Sequence, residues 1–220
     1  MTVLLILATF IVFLTIDYFY GRKRAVQPVF AVDQQLPQLH PGVVAGFELP
    51  ENLRYHPGHT WALGESPNFV RVGFDDFAAR LVGKVERINL PQRGQWIRQG
   101  QKLATIYRDG AKVELVSPME GIVTDVNQAV TLDPGLARGD PYGEGWLVTL
   151  HAPDAKTNFR NLLAGAVARK WMEEAAARLR SRMPAMAGAL AQDGGVAVDD
   201  LTTHLPEQVW VELAREFFLS

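Results

Sequence analysis

Residues 104–115, ATIYRDGAKVEL, admit one good folding solution. Asp109-Gly110 is a favoured two-residue hairpin turn, because a type I′ turn needs positive φ at both central positions. With that pair at the turn, Arg108 faces Ala111, Tyr107 faces Lys112, Ile106 faces Val113, Thr105 faces Glu114 and Ala104 faces Leu115. Ile106, Val113, Ala104 and Leu115 then share one face, while Tyr107, Lys112, Thr105 and Glu114 share the other. A slip of one residue would exchange the faces and destroy that sorting. The hairpin and its register are therefore predicted together, and Lys112 is placed on a strand flank beside Tyr107, not at the apex.

The surrounding chain repeats the same grammar. HTWAL, FVRVG, KVERINL, KLATIY, KVELV, GIVTDV and WLVTL are short β-type runs between residues 52 and 153, punctuated by Gly, Pro, Asn and Asp. This is the pattern of a compact, mainly β domain. FDDFAARLVG interrupts it with one short helix, which has Asp75 and Asp76 in the first turn and Phe74, Phe77, Ala78 and Leu81 on one face. After it, residues 154–220 change character. An alanine- and arginine-rich helix is expected from a cap at Thr157 or Asn158, with a break at Pro184 and a last helix over residues 206–219. Leu205, Val209, Trp210, Leu213 and Phe217 form its apolar stripe. An isolated helix of that length is marginal in water, so the stripe must be covered. Trp210, Leu213 and Phe217 are accordingly expected to bind a partner subunit.

The other end of the chain points to a bilayer. Residues 2–20 carry one charged side chain, Asp17. As a helix they cover about 29 Å, close to the roughly 30 Å of a hydrocarbon core. Tyr18, Phe19 and Tyr20 suit the interface, and Arg22, Lys23 and Arg24 follow at once. Positive charge after the apolar run, with no small-x-small site, reads as an anchor rather than a cleaved leader. The positive-inside rule keeps the downstream chain in the cytoplasm. The expected plan is a transmembrane helix (1–20), a proline-containing linker (21–51), a β domain (52–153) and a helical extension (154–220).

Composition narrows the chemistry. The chain has 220 residues, no cysteine and a net charge of −2. Thiol catalysis, zinc thiolate sites and disulfides are excluded, and there is no basic excess for nucleic acid. There is no Walker loop, GxGxxG, nucleophile elbow or HExxH. His56 and His59 read as ordinary loop residues, since no third metal ligand is evident. Glu144, between two glycines, reads as part of a structural turn. No catalytic residue, no metal and no cofactor are expected.

YHPGHTW (55–61), VGFDDFAARLVG (72–83), SPMEG (117–121) and LDPGLARGDPYGEGWL (132–147) together resemble the H protein of the glycine cleavage system, over roughly residues 52–152. The resemblance implies a barrel-sandwich hybrid, the fold of lipoyl and biotinyl carriers. It implies a family in which a lipoyl arm on one lysine shuttles an aminomethyl group and electrons between partner enzymes. That lysine lies seven residues before the serine of the SPMEG-type turn, which here is Gly110; Lys112 comes two residues late. The expectation is therefore a membrane-anchored, non-lipoylated H-protein-like accessory or scaffolding subunit. It would join the other subunits of a cytoplasm-facing membrane complex, and the bilayer through residues 2–20, without being an enzyme. The alternative is a lipoyl carrier that uses Lys112. A transient assembly factor is also left open.

Overall fold

The computed structural model describes residues 42–182, 202 and 205–219, all within one compact unit. The expected anchor over 1–20 and most of the expected linker lie outside the described residues. No helix among the described residues is long and apolar enough to cross a membrane.

The described part of the chain begins with a small hairpin, β1 (Val43–Val44) and β2 (Phe47–Glu48). Then follow β3 (Arg54–His56), β4 (Thr60–Ser66), β5 (Phe69–Phe74) and the helix α1 (Asp76–Val82). After α1 come β6 (Arg87–Asn89), β7 (Trp96–Ile97), β8 (Lys102–Arg108), β9 (Ala111–Val116) and β10 (Gly121–Val126). Two single-turn helices, α2 (Gln128–Leu132) and α3 (Gly135–Gly139), lead to β11 (Val148–His151). The chain ends in α4 (Ala155–Phe159), α5 (Gly165–Arg182) and α6 (Glu207–Phe218). One antiparallel sheet has the order β3-β4-β5-β11-β10-β7 and a second the order β6-β8-β9. Between them lies an apolar core that includes Trp61, Val70, Val72, Ile88, Ile106, Val113, Leu115, Val123 and Leu150. Burial on one face of each strand is what the alternating patterns demand.

Residues 43–49, expected as linker, belong to the domain. Val44, Phe47 and Leu49 are buried, and the Phe47 ring lies 4.9 Å from that of Phe77 on α1. Two strands of two residues each are too short to show a period, so the sequence could not announce them. Nor does one helix start at Thr157 or Asn158. The chain instead makes α4, breaks, and starts α5 at Gly165, whose φ is +51°. The break has a reason: Leu163 bridges to Tyr55 by reciprocal backbone hydrogen bonds of 2.8 and 3.0 Å. Asn158 does not cap a helix. Its Oδ1 accepts from the Glu120 amide at 2.9 Å and its Nδ2 donates to the Asp154 carbonyl.

The larger correction concerns the C-terminal stripe. Trp210, Leu213 and Phe217 do not present themselves to a partner; they are 1%, 5% and 2% exposed within the chain's own domain. Ala214 and Phe218 are buried with them, whereas Val209 is 41% exposed. The Trp210 indole donates to the Leu81 carbonyl at 2.9 Å, and the Phe217 ring sits 5.0 Å from that of Phe77. As a result every residue of α1 from Asp76 to Val82 is buried, where the sequence shows one apolar face. Arg182 of α5 pairs with Glu216 of α6 at 2.9 Å, and the Arg178 guanidinium lies over the Phe217 ring. The apolar stripe finds its cover within the same chain, where no second molecule has to be recruited.

Candidate functional site at the hairpin apex

The β8–β9 register is Ala104 with Leu115, Thr105 with Glu114, Ile106 with Val113, Tyr107 with Lys112 and Arg108 with Ala111. This is the pairing read from the sequence. Asp109 and Gly110 have φ values of +49° and +82°, as the primed turn requires. A Cβ added at Gly110 would meet nothing within 4 Å, so the apex has free space, although a side chain there would carry backbone strain. Lys112 is exposed on the outer face, two residues past the apex. Its neighbour Glu114 is paired with Lys102 at 3.3 Å.

α6 runs alongside this tip. Gly110, Ala111 and Lys112 form one wall of a hollow of about 570 Å³, and Glu207, Glu212 and Arg215 of α6 stand on the other. Two acidic and two basic side chains make the hollow electrically balanced. Arg108, the last residue of β8, fastens the tip to the C-terminal extension. Its guanidinium donates to the Val82 carbonyl (3.1 Å), to the Thr202 carbonyl (2.8 Å) and to the Thr202 hydroxyl, and lies over the Trp210 ring. Sequence reading missed this role, since Arg108 looks like any charged residue beside a turn.

The other singled-out residues are structural. His59 is not an ordinary loop residue but is fully buried. Its Nδ1 meets Asp75 Oδ2 at 2.9 Å, and its ring stacks on Phe77 with centroids 4.1 Å apart and lies 4.6 Å from Trp171. The other Asp75 oxygen caps α1 by accepting from the Ala78 amide at 2.8 Å. A His–Asp pair can serve acid–base chemistry, but His59 Nε2 is buried and reaches no polar partner. Glu144 lies in the turn as expected. The Asp140 carboxylate accepts from the Gly143 and Glu144 amides, and the Glu144 carbonyl accepts from Asn127. The same loop supports the core: the Trp61 indole donates to the Pro141 carbonyl, and the Tyr142 hydroxyl donates to the Glu48 carbonyl. Among the described residues no group of His, Cys, Asp and Glu could hold a metal ion.

His56 gives a measurable consequence. Its Nδ1 accepts the Gly58 amide at 3.0 Å, and burial, then the neighbouring His59, holds its pKa below the ordinary 6.5. Above that value His56 is neutral in both states. As pH falls through it the unfolded chain takes up a proton that the folded chain refuses, so stability is lost on the acid side. Thermal unfolding should therefore shift down between pH 7 and about pH 5, and less so in His56→Asn. Parallel curves for the two proteins would refute this assignment.

The glycine cleavage H-protein family matches residues 53–175, more than half of the chain. The glycine cleavage system H protein of Anaeromyxobacter sp. (strain K) is 34% identical over 127 residues, 58% of this chain and 98% of that protein. This chain belongs to the glycine cleavage H-protein family. A probable glycine cleavage system H protein 2 of Sulfurisphaera tokodaii is 33% identical over 128 residues, covering 57% of this chain and 86% of that one. A solved H protein from Mycobacterium marinum covers 57% of this chain and 98% of its own, with 23% identity and a TM-score of 0.48. The family match ends within α5, at residue 175, some two dozen residues beyond the similarity read from the motifs. The H-protein domain thus includes α4 and the start of α5, while α6 lies outside the match.

Proposed function

We propose that the chain is a membrane-anchored H-protein-like subunit that carries no lipoyl group and serves a cytoplasm-facing membrane complex as an accessory or scaffolding part. The observation that carries this reading is the apex. The family resemblance puts the modified lysine where Gly110 stands, at a well-formed Asp109-Gly110 turn, and Lys112 lies on the flank opposite Tyr107. A carrier fold without a group to carry is left with its surfaces, and fold by itself does not dictate activity. The anchor reading rests on residues 2–20 and the Arg22-Lys23-Arg24 cluster.

Exposed apolar neighbours are where a subunit that works by contact can dock. With the α6 stripe buried, such neighbours are supplied by the larger sheet. Phe69 pairs with His151, His151 with Ile122 and Ile122 with Trp96, one residue from each of four adjacent strands. Phe69, Ile122 and Trp96 are 40%, 39% and 48% exposed.

Intact mass after expression in a lipoylating host tests the central point. The native chain is expected to show its unmodified mass, with Gly110→Lys as a companion that restores a lysine to the family position. A lipoyl increment on the native chain, mapped to the peptide containing Lys112, would establish the carrier alternative instead. C-terminal reporter fusions should be active in the cytoplasm; activity only outside it would overturn the orientation.

A further inference from the structure

A second hollow opens at the β3–β4 edge of the larger sheet, beside α4, and shares no residue with the one beside the hairpin. Arg54 pairs with Ala62 across β3 and β4, and Gly64 lies two residues farther along the same face. Small residues at Ala62 and Gly64 leave room beneath α4. The Phe159 ring bounds that room on one side, packed over Gly64, where a built Cβ would sit 3.7 Å from its ring carbons. The space amounts to about 400 Å³, and Asn52, Arg54, Pro67, Lys156 and Phe159 stand around it.

Its chemistry is unfinished. The amide nitrogen and oxygen of Asn52 are both buried and neither makes a hydrogen bond among the described residues, although buried side-chain amides are as a rule paired. Arg54 makes one long contact, 3.4 Å to the Leu53 carbonyl. Neither Arg54 nor Lys156 has a carboxylate partner among the described residues, whereas Arg71 and Arg169 are paired with Glu65 and Glu51. Among the described residues, two cations without a carboxylate partner and an amide without a hydrogen bond thus border one hollow.

We infer that this hollow binds a small organic oxyanion, a carboxylate or phosphate group carried on an aromatic or apolar body. The Arg54 fork suits either headgroup and the Lys156 ammonium adds a second charge. Phe159 and Pro67 cover the body. This binding does not depend on whether the hairpin carries a lipoyl group.

The test titrates the full-length chain with phenyl phosphate and with phenylacetate, using calorimetry and resonance assignments, with benzyl alcohol as the uncharged control. At least one anion should bind saturably, shifting Gly64 and Phe159, while benzyl alcohol does not; the tighter anion identifies the headgroup. Arg54→Gln and Lys156→Gln should each weaken binding about tenfold, the loss of one charge-assisted hydrogen bond. Both residues are at least partly exposed, so the fold is expected to survive, and unchanged thermal unfolding of each variant checks that. Absence of saturable binding by both anions, or undiminished affinity in the Arg54→Gln/Lys156→Gln double variant, would overturn the inference.

Discussion

Trp210→Ala is expected to destabilise the domain by about 3–5 kcal/mol, the usual loss for a large aromatic removed from a core. The indole is 1% exposed, donates to the Leu81 carbonyl and lies beneath the Arg108 guanidinium. Its removal leaves a cavity beside α1, an unpaired carbonyl at the end of that helix and a buried cation without its ring. Chemical denaturation should show the midpoint falling with little change in slope. Removing residues 200–220 should go further and abolish the cooperative transition, because α1 would then lose the cover on its second side. A truncated chain that unfolds cooperatively at the native midpoint would mean that α6 is an accessory resting on a complete domain.

Arg108→Leu should cost about 2–4 kcal/mol, since removing one member of a buried hydrogen-bonded group leaves its partners unsatisfied. Arg108 is 6% exposed, and its donors reach the carbonyls of Val82 and Thr202. The same change should loosen the hairpin tip, which Arg108 ties to α1 and to the C-terminal extension. In a double-mutant cycle with Trp210→Ala the two losses should add to less than their sum, because the two side chains share one contact. Strict additivity would show that the stacked guanidinium contributes nothing through the ring. Amide exchange at Ala111 and Val113 offers a second readout, expected to quicken in Arg108→Leu.

Much of the fold was legible wherever chemistry is local. Each of the seven β runs overlaps one of the observed strands β4, β5, β6, β8, β9, β10 and β11, because period-two alternation and turn residues act within a few positions. β3 and β7 went unread, being three and two residues long. At the candidate site the reading reached the apex, the register and the position of Lys112. It did not reach Arg108, whose partners Val82 and Thr202 are distant in sequence, nor the buried state of His59, which depends on rings from α1, α5 and α6.

The sequence by itself determined the hairpin: Asp109-Gly110 permits the primed turn, and face sorting allows a single register. It likewise determined that residues 206–219 form an amphipathic helix, because the apolar spacing and Pro206 at the first turn are local signals. What covers that helix was decided only by tertiary structure. An apolar stripe states that it must be buried but not against what. β9, α1 and α5 lie within reach on the same chain, so Trp210, Leu213 and Phe217 turned inward without the entropy cost of recruiting a partner. The same long-range assembly placed Phe69, Ile122 and Trp96 side by side on an open sheet face, a neighbourhood that no local stretch of sequence contains.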